Sequence, residues 1–168
     1  MADDVISDAV LSDDGRYRYL LTRQWAPPTA PQLTFVMLNP STADASADDP
    51  TIRRCMAFAR REGYGGIVVV NLFAYRATDP RRLLDVDDPI GPNNREILQS
   101  AIGLARHRVV AAWGVDGGTF GREQAIFVEH IATRHPLQEL GRTKDGHPRH
   151  PLYVRGDAPL VDRTVGYA

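Results

Sequence analysis

The chain has 168 residues, of which 43% are hydrophobic and 24% are charged, and its formal net charge is −1 at pH 7. We expect residues 1–168 to form one domain with its own core. The near-neutral charge excludes a global electrostatic attraction to nucleic acid or to a membrane. The single cysteine excludes an internal disulfide and a cysteine-based metal cage. The sequence has no long apolar run and no signal-peptide pattern, so we expect a cytoplasmic protein.

The N-terminal part of the chain predicts a β-hairpin. Asp13-Asp14-Gly15 stands between two strand-like runs, 9–11 and 17–22. Asp-Gly between such runs is a hairpin signal because the turn needs a positive φ. The second run alternates aromatic or apolar residues with polar ones, which is typical of a half-buried strand.

A strand, a polar loop and a helix follow. Residues 34–38 are a short apolar run that Asn39-Pro40 ends, because proline has no N–H for a strand ladder. Asp49 can cap a helix whose first turn accepts Pro50, and Cys55 falls on its apolar face, as a small buried hydrophobe. In an open α/β sheet such a loop lies at the carboxyl edge, where these folds bind ligands.

Two further apolar runs, 66–70 and 108–113, predict interior strands that end at Asn71 and at Trp113-Gly114. Asn93 and Glu96 resemble a capping box that opens a helix reaching to about residue 106. That helix should direct Ile97, Ala101 and Leu104 to the sheet. Thr119 should cap a third helix. We predict a three-layer α/β/α fold with a mainly parallel central sheet and the N-terminal hairpin beside it.

The C-terminal segment carries two histidines before prolines, His147 and His150, in a loop that we expect to enter a strand at 152–154. It is also the most basic part of the chain, with Arg142, Lys144 and Arg149. The loop should close over the ends of the strands that finish at Asn39, Asn71 and Trp113.

Three motifs in chain order resemble the uracil-DNA glycosylase superfamily, over about residues 33–154. Residues 38–41, Leu-Asn-Pro-Ser, are similar to the motif whose asparagine positions the attacking water. Residues 68–71 are similar to the apolar strand whose final asparagine reads the base edge. Residues 147–152 are similar to the His-Pro-Ser-Pro-Leu motif, whose histidine stabilises the departing base and whose leucine wedges the duplex.

A second resemblance is to a bacterial and phage family known only as a domain of unknown function. Its Leu-Asn-Pro-Ser-Thr-Ala-Asp signature corresponds to residues 38–44, and further matches lie at 48–54, 71–73 and 113–114. The chain departs from the glycosylases at Met37, where they have glycine. It also lacks their base-stacking aromatic segment, which Phe73 or Tyr75 would have to replace.

These resemblances imply a glycosylase-like protein that binds a nucleotide or a nucleic-acid base, or that cleaves an N-glycosidic bond. Asn39 would orient water with Asp44 as an assisting base, and His150 or His147 would stabilise the leaving base. The base site would include Asn71 and five other residues: Pro40, Ser41, Phe73, Trp113 and Gly114. Phosphates would be held by four cations: Arg53, Arg54, Lys144 and Arg149.

We expect no cofactor, no metal and no membrane partner. The main alternative is a non-catalytic nucleotide- or nucleobase-binding module that uses the same pocket. A magnesium site at Asp44, Asp48 and Asp49 is a weaker alternative, because the cap of a helix explains Asp49 better. Ser41 as a nucleophile is weaker still, because no serine–histidine motif surrounds it and turn chemistry explains its Pro-Ser-Thr context.

Overall fold

The computed structural model describes residues 4–134 and 136–164, which form one seven-stranded sheet with helices on both faces. In space the strands run in the order β1-β2-β4-β3-β5-β6-β7. Their bounds are β1 Ile6–Leu11, β2 Arg18–Gln24, β3 Gln32–Met37, β4 Gly66–Asn71, β5 Val109–Ala111, β6 Leu137–Glu139 and β7 Val161–Asp162.

The sheet is mixed, with three parallel and three antiparallel pairings. Strands β4, β3, β5 and β6 are neighbours and pair in parallel. The predicted N-terminal hairpin of β1 and β2 is confirmed, with Gly15 at φ 72° in its turn. The hairpin is part of the sheet and not beside it as predicted, because β2 pairs antiparallel with β4, with Leu21 opposite Val69. Antiparallel β7 completes the other edge.

The helices cover the sheet from two sides. Helix α1 (Pro50–Arg61) packs on one face, where the buried side chains of Phe35, Val69 and Cys55 meet. The other face is covered by α2 (Asn94–Leu98), which continues as a π-helix (Gln99–Gly103), and by α4 (Arg122–Ile131). A short helix α3 (Gly114–Thr119) follows β5, and 3-10 turns lie at Pro80–Leu84 and Pro151–Tyr153. Within the described ranges, no helix has the length and apolarity to cross a membrane.

Helix α1 forms as the sequence predicts. The Asp49 carboxylate accepts the Ile52 N–H at 2.9 Å, and Pro50 occupies the first turn, where a missing N–H costs nothing. The helix ends before Gly63, whose φ is 82°. Cys55 is fully buried on the sheet-facing side, and burial raises the pKa of its thiol. This thiol is therefore a core group, as predicted.

The second helix differs from its prediction. Asn93 makes no side-chain cap hydrogen bond, so the capping box does not form. The side chains that are buried are Leu98 and Ile102, whereas Leu104 is exposed. Ile97 and Ala101 pack against the core as predicted, although they are only partly buried. A π-helix takes more residues per turn than an α-helix, so residues 99–103 carry Leu104 off the predicted face.

Two further predictions in the C-terminal half are wrong. Thr119 is the last residue of α3 and does not cap the next helix, because its hydroxyl donates to the Asp116 carbonyl at 3.2 Å. The strand expected at 152–154 is a 3-10 turn that begins at Pro151, where the N–H needed for a strand ladder is missing. The sequence also gave no sign of β6, which has three residues.

Candidate functional site

A cavity of about 550 Å³ opens at the carboxyl ends of β3, β4 and β5. One wall is the N-terminus of α1, and the segment from Thr143 to Tyr153 lies across it. Asn39, Asn71 and His150 all line this cavity. Three other expected ligand-binding residues line it too: Ser41, Trp113 and Gly114.

Asn71 is the last residue of β4 and is 1% exposed. Its main chain is held in place, because the Asn94 side chain donates to the carbonyls of Asn71 and Leu72 at 3.0 and 3.1 Å. The side chain of Asn71 is not held in this way, because neither its amide oxygen nor its amide nitrogen has a hydrogen-bond partner among the described residues. Buried polar atoms without partners are costly and rare. The Asn71 amide is therefore available to a ligand in the cavity.

Asn39 is fixed by its amide nitrogen, which donates to the Ala77 carbonyl at 2.8 Å and to the Pro40 carbonyl at 3.1 Å. These bonds tie the loop after β3 to the loop after β4. Because both amide hydrogens are used, the side-chain oxygen is the group that Asn39 can offer to a water molecule or a ligand.

His150 is held as a neutral hydrogen-bond donor. Its Nδ1 accepts the Leu152 N–H at 3.1 Å, so the neutral ring carries its proton on Nε2. Burial lowers the pKa of His150, and the nearby negative charge of Asp49 only partly opposes this. The imidazole is therefore uncharged at neutral pH. The Tyr153 ring, at 5.5 Å between centroids, lies beside it at the mouth of the cavity.

The other histidine lies elsewhere. His147 does not line the main cavity but a separate one of about 290 Å³, which it shares with Trp113 and Arg163. Its ring packs so closely on Gly118 that a Cβ there would lie 1.8 Å from Nδ1. The choice that the sequence left open between the two histidines is therefore resolved in favour of His150 as the cavity residue.

Three other candidate residues do not reach the cavity. The Asp44 carboxylate accepts the N–H groups of Ser46 and Ala47 at 2.8 and 2.9 Å, and these bonds lower the pKa of Asp44. It stabilises its own loop, so it is not placed to assist a water molecule in the cavity. Phe73 packs in the core, with its ring 6.0 Å from that of Phe120. Pro40 is also buried, so neither Phe73 nor Pro40 forms a surface that a base could contact.

Of the four cations expected to bind phosphate, only Arg149 lines the cavity. The Arg54 guanidinium donates to the carbonyls of Pro151 and Val154, so it fastens the segment above the cavity to α1. Arg53 donates to the Asp48 carbonyl at 3.2 Å on the outside of the same helix. Lys144 is exposed, away from the cavity lining.

Three charged residues that the site predictions did not include also line the cavity: Arg18, Asp49 and Asp116. Arg18 is 2% exposed, and its Nη1 donates to the Ala43 carbonyl at 2.8 Å. The alternation of β2 gave no sign of this burial, which results from the pairing of β2 with β4 rather than from local sequence. Asp49 was predicted only as the cap of α1. It is half-buried and serves as both cap and cavity wall.

The three carboxylates considered for magnesium are engaged separately. Asp48 accepts a hydrogen bond from the Nε of Arg23 at 2.8 Å, Asp49 caps α1 and Asp44 stabilises its loop. Across residues 4–134 and 136–164, the structure contains no group of three or more side chains that could hold a metal ion together.

A family model described as "Protein of unknown function (DUF1643)" matches residues 18–152. The chain belongs to this family. The matched region begins at Arg18 and includes every residue that lines the cavity except Tyr153. No curated protein and no solved structure matches the chain.

Proposed function

We propose that this protein binds a nucleobase, as a nucleotide or within a nucleic-acid strand, in the cavity at the carboxyl ends of β3, β4 and β5. The observation that carries the proposal is the Asn71 amide, which is buried at the edge of that cavity without a hydrogen-bond partner among the described residues. An amide offers one acceptor and two donors, which complement the amide-like edge of a base. The cavity volume of about 550 Å³ suits a ligand of this size.

We further propose a uracil-DNA glycosylase-like fold around four neighbouring parallel strands, β4, β3, β5 and β6. What supports it is the convergence of three sequence motifs, far apart along the chain, on one cavity through Asn39, Asn71 and His150. Two of these residues follow adjacent parallel strands, at the edge where open α/β sheets bind ligands.

The same residues suit cleavage of an N-glycosidic bond. The Asn39 oxygen orients a water molecule that attacks the anomeric carbon, while the bond between carbon and base nitrogen breaks and its electrons move to the base. The Nε2–H of His150 donates to the base oxygen on which negative charge develops. The proton lost by the water passes to Asp49, whose second carboxylate oxygen is not used by the helix cap.

A non-catalytic binding module is the second candidate. The position of Phe73 favours it, because this aromatic side chain lies in the core and offers no surface on which a flipped base could stack. A base in the cavity would lack a stacking contact with Phe73, which is compatible with recognition but leaves the base less firmly oriented for cleavage.

The enzyme and the module are distinguished by a cleavage assay. The protein is incubated with uracil-containing single-stranded DNA and with mismatched duplex, and abasic sites are then revealed with alkali. Cleavage that Asn39→Ala abolishes and Asn93→Ala retains would establish the enzyme, since Asn93 is exposed and makes no side-chain cap bond. Uridine binding without cleavage would establish the module. Failure to bind any nucleobase, nucleoside or oligonucleotide would refute the proposal.

A further inference from the structure

Among the described residues, two arginines with little exposure, Arg23 and Arg163, have carboxylate partners, whereas a third does not. Arg23 is 1% exposed, and its Nε lies 2.8 Å from the Asp48 carboxylate. The side chain of Arg163, 10% exposed, contacts the carboxylates of Glu129 and Glu139 at 3.1 and 2.8 Å. In both cases the cation that the fold removes from water gains a countercharge, as buried ions require.

The exception is Arg18, which is 2% exposed. Among the described residues, no carboxylate lies within 4.0 Å of its guanidinium. Its Nη1 donates to the Ala43 carbonyl, but its Nε is buried without a partner. Burial lowers the pKa of Arg18 to about 10, and the charge of Asp49 opposes that shift. Arg18 is thus a buried cation that no carboxylate of the described residues contacts, and the charge of Asp49 acts on it only at longer range.

The unpaired groups of Arg18 and Asn71 lie at the same end of two neighbouring strands. Strands β2 and β4 pair with Leu21 opposite Val69, and Arg18 continues this alignment with its N–H bonded to the Ala74 carbonyl. Both side chains line the cavity. A single small ligand can therefore contact the guanidinium and the amide together.

We propose that the cavity selects a ligand with a negative charge, which Arg18 binds while Asn71 reads the adjacent amide edge. The ligand class is an anionic nucleobase compound, with its charge on a phosphate or on the base ring. That the ligand contains a base rests on the proposed function, and that it carries a negative charge is the new inference. Arg18 replaces the surface cations as the main anion-binding group, because an ion pair removed from water is not screened by salt as a surface pair is.

Calorimetric titration of the wild-type protein with two matched pairs tests the preference. The pairs are uridine with uridine 5′-monophosphate, and uracil with orotate, which carries a carboxylate on the ring. We expect the anionic member of at least one pair to bind tenfold or more tightly, because charge-assisted hydrogen bonds to a buried guanidinium are strong, about twice as strong as neutral ones. The pair that shows the preference identifies the source of the charge. Equal affinities within both pairs would overturn the inference, with no variant needed.

Variants then locate the anion. Arg18→Met should remove the preference and leave the affinity for the neutral member within about twofold, whereas Arg18→Lys should retain part of it. Arg82→Met removes an exposed charge outside the cavity and should leave the preference intact. Loss of the preference in Arg149→Met but not in Arg18→Met would place the anion at the cavity mouth and refute the assignment.

The inference and the proposed function fail in different ways. If Asn71→Leu abolishes binding of both members of a pair that bind equally well, the base site stands and the anion site does not. If uracil and uridine do not bind, but phosphate or orotate binds in a manner that depends on Arg18, the anion site stands and the base-binding proposal does not.

Discussion

The Nε of Arg23 lies 2.8 Å from the Asp48 carboxylate, and the same guanidinium donates to the Ala47 carbonyl at 3.2 Å. Arg23 belongs to β2, whereas Asp48 and Ala47 belong to the loop between β3 and α1. This loop carries Asn39 at its start and Asp49 at its end, so a buried side chain from an antiparallel strand holds the loop that forms the cavity wall.

Arg23→Met should therefore destabilise the protein by about 2–4 kcal/mol, because it leaves Asp48 and several partly buried carbonyls without a donor. Urea unfolding measures the change. Arg53→Met is the matched control: this exposed arginine also donates to a carbonyl of the same loop, and its loss should cost no more than about 0.5 kcal/mol. Equal stabilities of the two variants would contradict the role assigned to Arg23.

Asn71→Leu should separate stability from binding. Because no residue that the structure describes forms a hydrogen bond with the Asn71 amide, an apolar side chain of similar size should leave the free energy of unfolding unchanged or raise it by about 1 kcal/mol. Nucleobase binding should be lost. Asn94→Leu is the comparison: it removes two hydrogen bonds to buried carbonyls and should cost about 1–3 kcal/mol. A large loss of stability in Asn71→Leu would show that the amide serves the fold instead.

His150 should make stability depend on pH. Burial keeps its folded pKa below the usual value of about 6.5. Below that pH the unfolded chain takes up a proton that the folded protein resists. The contribution of His150 to the free energy of unfolding is therefore full above about pH 6.5 and is lost as the pH falls towards the pKa in the folded state. The difference in unfolding free energy between wild type and His150→Gln should shrink from about pH 8 to about pH 5. A difference that stays constant or grows would contradict burial of the neutral ring.

Gly117→Ala should disturb the cavity through Trp113. A Cβ at position 117 would lie 2.1 Å from Cδ1 and 2.8 Å from Cβ of this buried indole, so the ring would have to move. We expect a loss of about 1–3 kcal/mol and weaker ligand binding. Gly103→Ala is the control, because its new Cβ would meet only the Ile131 carbonyl at 3.6 Å. Trp fluorescence that does not differ from wild type in Gly117→Ala would argue against the contact.

The salt dependence of oligonucleotide affinity should show that the protein surface binds few phosphates. Arg149 is the only one of the four predicted phosphate-binding cations in the cavity lining. For a short single-stranded oligonucleotide, Arg149→Met should reduce the log–log slope of affinity against salt by about 0.7, the value expected for one phosphate. Lys144→Met should leave it unchanged. A slope steeper than about −2 that depends on Lys144 or Arg53 would reveal a larger basic surface.

Local chemistry predicted the frame of the site. The loop that starts at Asn39 just after β3, the end of β4 at Asn71 and the capped start of α1 each depend on a few neighbouring residues, such as Pro40, Asp49 and Pro50. Parallel pairing of β3 with β4 then brings the two asparagines to one edge. This part of the cavity follows from patterns that the sequence displays directly.

The parts that sequence reasoning missed depend on contacts between distant segments. Arg18 looks like an exposed strand residue until β2 pairs with β4 and Ala43 accepts its hydrogen bond. His147 and His150 have similar neighbours in sequence, and the packing of His147 on Gly118, about thirty residues earlier, sets them apart. Neither contact leaves a periodic or local signal.

The bonds from Arg54 to the carbonyls of Pro151 and Val154 are joined by one from Arg61 to the Gly156 carbonyl at 2.9 Å. All three bonds come from α1, the helix whose first turn forms a wall of the cavity. These bonds join the segment that carries His150 to the helix that Asp49 caps. If ligand entry leaves them intact, the association rate should be set by diffusion and by the electrostatic field at the mouth of the cavity.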